Sequence, residues 1–387
     1  MSDFISTLEQ SVQRLQQYIE KEQYRGYDPY DGLTSAIFKL PLLNSNHKIR
    51  FLAQQLVKRS PLNLRPILGI NKGLNPVTLG LCIQAYTASP KKSDTDKIPA
   101  LIQQLKDVIP KGFHGACWGY DFPWEARYAT IPAYQPTVVA TGFISNALFY
   151  YYQKTKNTSA ADLVVSAAQF VLQDLNRISD ADETFCFSYS PFDREKVFNA
   201  SMKGARLLAQ AYSINHDEIL KKTAKNAVAW VMKFQRDDGA WIYSQSEAGK
   251  WIDNYHTGYV LDTLSAYIQL TDDHTFEPNL KKGLQFYLNN FFEASGQPKF
   301  YDREAYPADC TAAAQSILTL LRFGEHQQAL KVAEWMIPNM QDPNGYFYFR
   351  KYRNHTDKSS FMRWSNAWMF AGLNTLLYSN ENKNPAQ

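Results

Sequence analysis

The segment from Asp253 to His256 holds four consecutive polar side chains, the densest group in this sequence that could transfer protons. Histidine titrates near neutral pH, so it serves as a base or an acid in many sites. The four residues also stand where a helix is predicted to start. We therefore name His256 as the sharpest candidate catalytic residue, with a purely structural histidine as the alternative.

Glu125 is the second candidate for acid or base chemistry. It lies between Trp124 and Arg127 in a loop rich in Trp, Tyr and Pro. Burial among aromatic rings disfavours the charged form of a carboxyl group and raises its pKa, as a general acid requires. The sequence therefore predicts a buried, protonatable carboxyl group at Glu125.

Six polar segments of the chain combine aromatic rings, amides, carboxylates and arginines. Aromatic faces stack on sugar rings, and amides and carboxylates bind hydroxyl groups. Arginine forks suit a carboxylate, sulfate or phosphate, so an acidic saccharide would use every feature at once. The candidate substrate-binding residues are Trp118, Tyr120, Asp121, Arg127, Tyr189, Arg194, Asn199, Trp241, Asn254, Tyr301, Arg303, Asp309, Arg363 and Trp364.

Several of these residues have a simpler explanation. Asn199, Asn254 and Asp309 are equally well explained as helix N-caps, which select Asn and Asp. The couplets of Phe and Tyr, such as Phe187-Ser188-Tyr189 and Phe347-Tyr348, suit ordinary packing of turns. Arg194 and Arg303 each stand beside an acidic residue, which also suits a surface ion pair.

A repeat of six units predicts where these segments lie. A polar or Pro-containing turn opens a strongly helical run six times, at nearly constant separation, and each separation matches two helices with their connections. Most of the intervening segments contain a second helix with apolar spacing of three and four, followed by a turn and an aromatic couplet. The six runs open at Asn75, Gln135, Asn199, Asn254, Asp309 and Asn366.

This pattern predicts an all-α fold, an (α/α)6 toroid of six helix-hairpin repeats with short β-hairpins at the loop end. We expect one domain over residues 1–387, with an N-terminal helix and opening loop in 1–30 and a flexible tail in 380–387. All polar loops would then lie at one end of the ring. Loops on a rigid scaffold commonly carry function, so the loop end is the predicted site.

Composition excludes several classes of protein. The net charge is +4, with signs mixed along the chain, which argues against nucleic-acid binding. The four cysteines are widely spaced and show no metal-binding pattern, so we expect buried thiols and neither a metal nor a cofactor. The N-terminus lacks the apolar core of a signal peptide, and no window resembles a membrane span. We expect a cytoplasmic protein, for which a homodimer is one possible assembly.

The segment Asp253 to Tyr259 and the segment Gly26 to Leu33 resemble proteins encoded among bacterial polysaccharide-biosynthesis genes. The six-unit pattern is similar, more distantly, to the helical domain of heparosan glucuronyl 5-epimerases. This resemblance implies proton abstraction next to a uronate carboxylate, by an epimerase or a lyase. The residues that it implies as acid, base and carboxylate partner are Tyr255, Glu125, His256, Arg127 and Arg363.

A second resemblance points to another class. The spacing Gln-x-x-x-Gly-x-Trp at 235–241, and a related segment at 341–347, are similar to the repeat of squalene–hopene cyclases and protein prenyltransferases. Those proteins are also helical toroids. This resemblance implies a cavity for a hydrocarbon, which the arginine-rich loops argue against.

Two further alternatives stay open. An inverting glycoside hydrolase needs two carboxylates that face each other across the cavity, for which Glu125 with Asp253 or Asp309 are the candidates. A saccharide-binding scaffold without catalysis is the other, since a fold does not imply a reaction.

Overall fold

Helices make up most of the computed structural model, which describes residues 2–44, 46–60, 62–126, 130–179 and 182–379. Short 3₁₀ helices cover Asp31–Thr34, Ala36–Lys39, Glu247–Gly249 and His274–Phe276, and a π-helical segment covers Met362–Ala367. The α-helices are α1 (Ser2–Lys21), α2 (Pro41–Asn44), α3 (His47–Arg59), α4 (Pro76–Ala88), α5 (Lys92–Thr95), α6 (Ile98–Asp107), α7 (Val138–Thr155), α8 (Thr158–Gln173), α9 (Phe198–Asn215), α10 (Glu218–Met232), α11 (Asn254–Thr271), α12 (Glu277–Asn290), α13 (Cys310–Arg322), α14 (His326–Met340) and α15 (Trp368–Ser379).

Six of these helices form a closed inner ring. In chain order α4, α7, α9, α11, α13 and α15 each pack against the next, and α15 packs against α4. Around them lie α6, α8, α10, α12 and α14, and α1 completes the outer layer by packing on α14 and α15. The predicted (α/α)6 toroid is confirmed. One domain over residues 1–387 stays a prediction, and the expected tail, 380–387, lies outside the described residues.

Burial explains which helices are inner and which are outer. Every residue of α4 except Gln84 is buried, as expected of a helix that is covered on all sides. In α10 the buried positions include Leu220, Ala224, Ala227 and Val231, at helical spacing along one face. The outer helices therefore cover the ring with one apolar face and keep the other in water.

Two predicted helix starts are confirmed at the level of single hydrogen bonds. The side chain of Asn75 accepts a hydrogen bond from the backbone N–H of Val77 at 3.0 Å, and α4 follows it. The side chain of Asp309 accepts one from the N–H of Ala312 at 3.1 Å, and α13 follows it. Each side chain satisfies a backbone donor that the first helical turn leaves free.

The start at Asn254 is also confirmed, because α11 begins there, although Asp253 is its cap. The other three starts need correction. Thr137, rather than Gln135, caps α7. Asn199 is the second residue of α9 and is not its cap. Asn366 lies inside the π-helical segment, and its side chain accepts a hydrogen bond from the N–H of Phe347 at 2.8 Å. Asn and Asp near a helix start thus indicate the helix but do not always give its first residue.

The two Gln-x-x-x-Gly turns have a structural role. The Gln235 amide donates to the carbonyls of Gly239, at 3.0 Å, and Asn279 of α12, at 2.9 Å. The Gln341 amide donates to Gly345 and, at 3.0 Å, to Ser11 of α1. Both glycines have positive φ, 97° and 101°, and a Cβ on either would meet a backbone carbonyl at 2.5 Å or less. This repeat therefore joins successive outer helices.

Small antiparallel sheets lie in the long connections. β1 pairs with β2, β3 with β4, and β6 joins β5 to β7. Some predicted aromatic couplets lie in strands, as Phe187 and Tyr348 do, whereas Trp118 and Trp241 do not. The strands are β1 (Trp124–Glu125), β2 (Thr130–Ile131), β3 (Arg177–Ser179), β4 (Phe185–Phe187), β5 (Ala308–Asp309), β6 (Tyr348–Lys351) and β7 (Thr356–Ser360).

All four cysteines are buried, as expected. They are Cys82, Cys117, Cys186 and Cys310. Within the described ranges, no helix has both the length and the apolar character that crossing a membrane requires.

Candidate active site

A cavity of about 510 Å³ opens where the inner helices begin. Its wall includes residues from the first turns of five of them: Val139, Asn199, Tyr255, Thr311 and Trp368. The long connections supply the rest of the wall. The volume lies within the range of about 300–1,000 Å³ that is usual for small-molecule sites. We call this space the first cavity.

His256 and Asp253 form a hydrogen-bonded dyad in the wall of the first cavity. His256 Nδ1 lies 2.6 Å from Asp253 Oδ2, and the Trp251 indole N–H donates to the same oxygen at 2.8 Å. Asp253 Oδ1 accepts from the backbone N–H of His256 at 2.9 Å. A carboxylate can only accept, so Nδ1 of a neutral ring carries the proton and Nε2 has a free lone pair. No hydrogen-bond partner of Nε2 was found in the described part of the chain.

Aromatic rings hold this dyad in place. Tyr243 stacks on Trp251 at 4.5 Å and contacts the His256 ring at 4.6 Å. Tyr255 lies on the other side of His256, at 4.1 Å, and its edge meets Trp364. Because these contacts fix the imidazole plane, the ring keeps one orientation toward the cavity.

Several tyrosines line the first cavity, among them Tyr259, which is buried, and Tyr120, Tyr189 and Tyr255, which are half-buried. Burial raises the pKa of each of them above the usual value for tyrosine. Their hydroxyls therefore stay protonated at neutral pH and can donate hydrogen bonds.

Arg363 lies in the cavity wall, but its charge is paired. The guanidinium binds both oxygens of Asp28, with Nε at 2.6 Å and Nη2 at 2.9 Å. Burial opposes its charge, yet the Asp28 carboxylate holds the pKa of Arg363 above its usual value. The guanidinium also lies 4.5 Å from the centre of the Tyr120 ring. This arginine therefore fixes the wall and is not free to bind a ligand carboxylate.

Two carboxylates of one loop also reach the cavity, Asp193 and Glu195. The Asp193 oxygens accept four hydrogen bonds from that loop, including the N–H of Tyr189 at 3.0 Å and that of Ser190 at 2.7 Å. Burial, and then the Asp193 charge, raise the pKa of Glu195. Asp193 thus shapes its loop, whereas Glu195 is a carboxyl group that can hold a proton.

The structure brings together about half of the residues that the sequence analysis named. Arg194 is exposed at the cavity wall, and the others in that wall are half-buried or buried. Asp253 lies directly behind them, against His256. Those in the wall are Tyr120, Tyr189, Arg194, Asn199, Tyr255, His256, Arg363 and Trp364.

Glu125 has a different environment from the one expected. Its carboxylate is buried, but Arg50 Nε lies 2.5 Å from Oε1 and His47 Nε2 lies 3.1 Å from Oε2. The Thr130 hydroxyl contacts both oxygens. Arg50 and Thr130 therefore hold this carboxylate, so its environment is not the purely aromatic one that the loop composition indicated. Glu125 is not in the cavity wall, and its catalytic role stays a prediction without geometric support.

The remaining predicted residues lie elsewhere. Trp118 and Trp241 are core side chains, and Asn254 accepts buried hydrogen bonds from Tyr287 and Ser316. Asp309 is buried against Arg350 at 2.6 Å.

Asp121, Tyr301 and Arg303 are also absent from the wall. Asp121 accepts a hydrogen bond from Asn75 at 2.9 Å, and Arg303 is exposed beside Asp302. Arg127 lies outside the described residues.

Some residues of the site were not named from the sequence. Tyr259 follows Tyr255 by four positions, which places both on one helical face, and this spacing could have indicated it. Tyr243 belongs to the aromatic couplet Trp241-Ile242-Tyr243, of which the sequence analysis named only Trp241. Among the described residues, no group of three His, Cys, Asp or Glu has the arrangement of a metal site.

Comparison with solved structures identifies helical-toroid enzymes of the same fold. Cellobiose 2-epimerase from Bacillus thermoamylovorans superposes with a TM-score of 0.61 at 11% identity, over 79% of this chain and 88% of that one. An α-mannanase of glycoside hydrolase family 76 from Bacteroides thetaiotaomicron gives 0.60 at 15%, over 80% and 87%. A D-mannose isomerase gives 0.57 at 12%, over 78% and 86%. No protein-family model and no curated protein sequence matches this chain.

Proposed function

We propose that this protein is a sugar epimerase or isomerase that moves a proton on and off the carbon next to a carbonyl group. The observation that carries the proposal is the Asp253–His256 dyad, which leaves Nε2 free in a cavity lined by aromatic rings. Two of the structures with the same fold are named as a cellobiose 2-epimerase and a D-mannose isomerase, which supports this class of reaction.

The dyad accounts for the first half of the reaction. His256 Nε2 takes the proton from the carbon, the C–H electron pair forms a C=C bond, and the carbonyl electrons move to its oxygen. Asp253 stabilises the imidazolium that results, because its carboxylate already holds Nδ1–H. The hydroxyls of Tyr255 and Tyr259 can donate to the oxyanion.

The second half returns a proton. Delivery to the same carbon from the opposite face, with the original C=O bond restored, gives the epimer. Delivery to the former carbonyl carbon gives the aldose–ketose isomer, because the hydroxyl group on the first carbon then passes its proton to the former carbonyl oxygen and becomes the new carbonyl group. Glu195 is the carboxyl group in the cavity wall whose raised pKa suits this role. A proton-transfer group near its working pH contributes about 10²–10⁴-fold to a rate.

The aromatic wall suits a pyranose ring, and the pairing of Arg363 with Asp28 means that a charged substrate is not required. A uronate remains the second candidate substrate, as implied by the resemblance to uronate epimerases. It is favoured by Arg194, which is exposed at the cavity wall and has no ion pair with a described residue.

Glycoside hydrolysis has less support. An inverting hydrolase needs two carboxylates about 6.5–9.5 Å apart on opposite sides of the bond. In the described part of the cavity wall, the carboxylates are Asp193 and Glu195, which stand two residues apart on one loop. The named alternatives Glu125 and Asp309 are both paired with arginines outside this wall.

The test is proton exchange in D₂O. The protein is incubated with D-mannose, D-glucose, cellobiose and D-glucuronate, and proton NMR follows the C–H signal beside the carbonyl carbon together with any new sugar. We expect deuterium at that carbon and the appearance of an epimer or ketose. We expect His256→Gln to lower the exchange rate by about 10²–10⁴-fold.

His355→Gln is the matched control. His355 stacks on Tyr352 in the turn between β6 and β7, away from the first cavity, so exchange should be unchanged. Release of a smaller sugar without deuterium uptake would instead indicate hydrolysis. Full activity in a folded His256→Gln variant would remove the dyad from the mechanism.

A further inference from the structure

A second cavity, of about 490 Å³, lies at the opposite mouth of the ring, where the inner helices end. Its wall includes residues from the last turns of five inner helices: Ala88, Gln153, Leu270, Arg322 and Ser379. The rings of Phe143 and Tyr259 take part in the walls of both cavities. The second cavity is therefore a separate space that reaches the middle of the ring from the other side.

Arg206 lies in this wall as a buried cation without a partner. Its side chain belongs to a residue that is 5% exposed, and it makes no hydrogen bond or ion pair with any residue in the described ranges. Burial lowers its pKa to about 10, so the guanidinium still carries its charge at neutral pH.

Other buried arginines show how unusual this is. Buried Arg65 binds Asp31 at 2.7 Å and buried Arg363 binds Asp28 at 2.6 Å, and half-buried Arg350 binds Asp309 at 2.6 Å. A buried charge without a partner is costly, and a protein usually supplies one. A ligand can provide the missing anion at Arg206.

Lys203 is a second buried basic residue on the same helix face, one turn before Arg206. Burial, and then the charge of Arg206, hold the pKa of Lys203 well below the usual value for lysine. Its Nζ lies 3.6 Å from the centres of both the Phe143 and Tyr259 rings and has no ion pair among the residues described. Arg322 lies 3.5 Å from Asp262, the one carboxylate in the described wall. Two guanidinium groups, those of Arg206 and Arg322, thus face a single carboxylate.

The helix ends do not cancel this excess. Carbonyl groups at a helix C-terminus carry partial negative charge, but the effect falls off within the last turn. Arg206 lies more than two turns before the end of α9, at Asn215. Its charge therefore faces the interior of the cavity without help from the backbone.

A chain of amides lies beside the cations. The Gln210 amide donates to Asn146 at 3.0 Å, and Asn146 faces Gln84 at 3.5 Å. The side-chain oxygen Oε1 of Gln210 is buried and accepts no hydrogen bond from the described residues. Gln210 follows Arg206 by four positions, so both lie on one face of α9. An acceptor next to a guanidinium suits a hydroxyl group next to an anionic group.

We propose that the second cavity binds a sugar phosphate. Arg206 would bind the phosphate, to which a guanidinium fork is well matched, and the amides of Gln210 and Asn146 would bind the hydroxyls. The proposal concerns binding alone and does not depend on the reaction proposed for the first cavity.

Binding is measured by isothermal titration calorimetry and by thermal unfolding, in phosphate-free buffer at constant ionic strength. The probes are glucose 6-phosphate, inorganic phosphate and glucose. We expect the strongest binding for glucose 6-phosphate, weaker binding for inorganic phosphate, and none for glucose at the same concentrations. Equal affinity for the first two would overturn the role of the amides, and no binding of either would overturn the site.

Arg206→Gln identifies the cavity involved. The loss of a charge-assisted hydrogen bond should weaken binding of glucose 6-phosphate at least about tenfold. Arg194→Gln, at the first cavity, is the matched control and should leave this affinity unchanged. Unchanged binding in Arg206→Gln, or an equal loss in Arg194→Gln, would overturn the assignment.

Stability without ligand separates a binding role from a structural one. Because Arg206 lacks a protein partner, the ligand-free Arg206→Gln variant should unfold at the same temperature as the parent protein or higher. Lys203→Met should behave in the same way. A lower unfolding temperature of both variants without ligand would show that the side chains of Arg206 and Lys203 stabilise the fold. This result would contradict the proposal.

Discussion

The two mouths of the ring enclose cavities of similar size, about 510 and 490 Å³, yet they differ in how their charges are paired. At the first cavity Arg363 is bound by Asp28, and Asp253 is bound by His256 and Trp251. At the second cavity Arg206 has no such partner in the described chain. Paired charges set the geometry of a wall, whereas an unpaired charge attracts an ion.

The lengths of the connections explain the difference. The mouth with the first cavity carries the long segments between an outer helix and the next inner helix, and the partners Asp28 and Asp253 both come from such segments. At the second cavity, α7 and α8 are separated by two residues, Lys156 and Asn157. Short turns cannot reach into the ring, so the side chains there have only each other.

The largest effect is expected for the dyad, in Asp253→Asn. The asparagine can still cap α11, but its NH₂ group would face His256 Nδ1 and shift the ring proton to Nε2. We expect the exchange rate to fall by about 10²–10⁴-fold, as for the wrong tautomer of a catalytic histidine. Rates from deuterium uptake, with circular dichroism as a check of folding, measure it. A rate near that of the parent protein would show that the tautomer does not matter.

Asp28→Asn tests the paired charge by making the first cavity resemble the second. It leaves Arg363 buried without its carboxylate, which should cost about 3–5 kcal/mol of unfolding free energy. D-Glucuronate should then raise the unfolding temperature of the variant more than that of the parent protein. Urea unfolding measures the loss. A variant as stable as the parent protein would mean that the pair does not hold the wall.

Asp121→Asn tests an acidic group beside that pair. Burial, and then the Asp28 charge, raise the pKa of Asp121 to about 6 from the usual 3.8. The folded protein therefore keeps a proton that the unfolded chain loses, and this contribution to stability falls as the pH rises from about 4 to about 6. The variant should equal the parent protein at pH 4 and exceed it by up to about 3 kcal/mol at pH 8. Parallel stability profiles would contradict this.

Arg194→Gln should have the smallest effect and sharpens the substrate class. With a neutral sugar, we expect the exchange rate to change less than about threefold, because exposed charges contribute little. With D-glucuronate, the KM should rise while kcat is retained, since the contact would be made equally in the ground and transition states. The same change in KM and rate with both sugars would mean that Arg194 does not bind the carboxylate.

The fold could be predicted from the sequence further than the site could. Repeated capping residues and helical spacing indicated the ring, because each unit had to bury the same kind of face. Loop composition indicated that Tyr189, His256 and Trp364 lie at one end of the ring, and all three are in the wall of the first cavity. It could not show that Glu125 would be bound by Arg50, since these residues lie 75 positions apart.

Arg206 and Lys203 show the same limit from the other side. They lie within a helix that has no unusual motif, and only the closed ring makes them buried neighbours. They are informative because no described residue forms an ion pair with them, and ion pairing is a property of the folded chain.

The position of α1 in the outer layer affects when its contacts can form. α1 is synthesised long before its partners α14 and α15, and the Gln341 amide donates to Ser11, which is 330 positions away. Contacts so distant in sequence form late and slow folding. During synthesis α1 therefore exposes its apolar face, with Leu8, Val12 and Leu15, until α14 and α15 have emerged. A ring joined in this way should also tolerate circular permutation in an outer turn, provided that α1 stays fused to the end of α15.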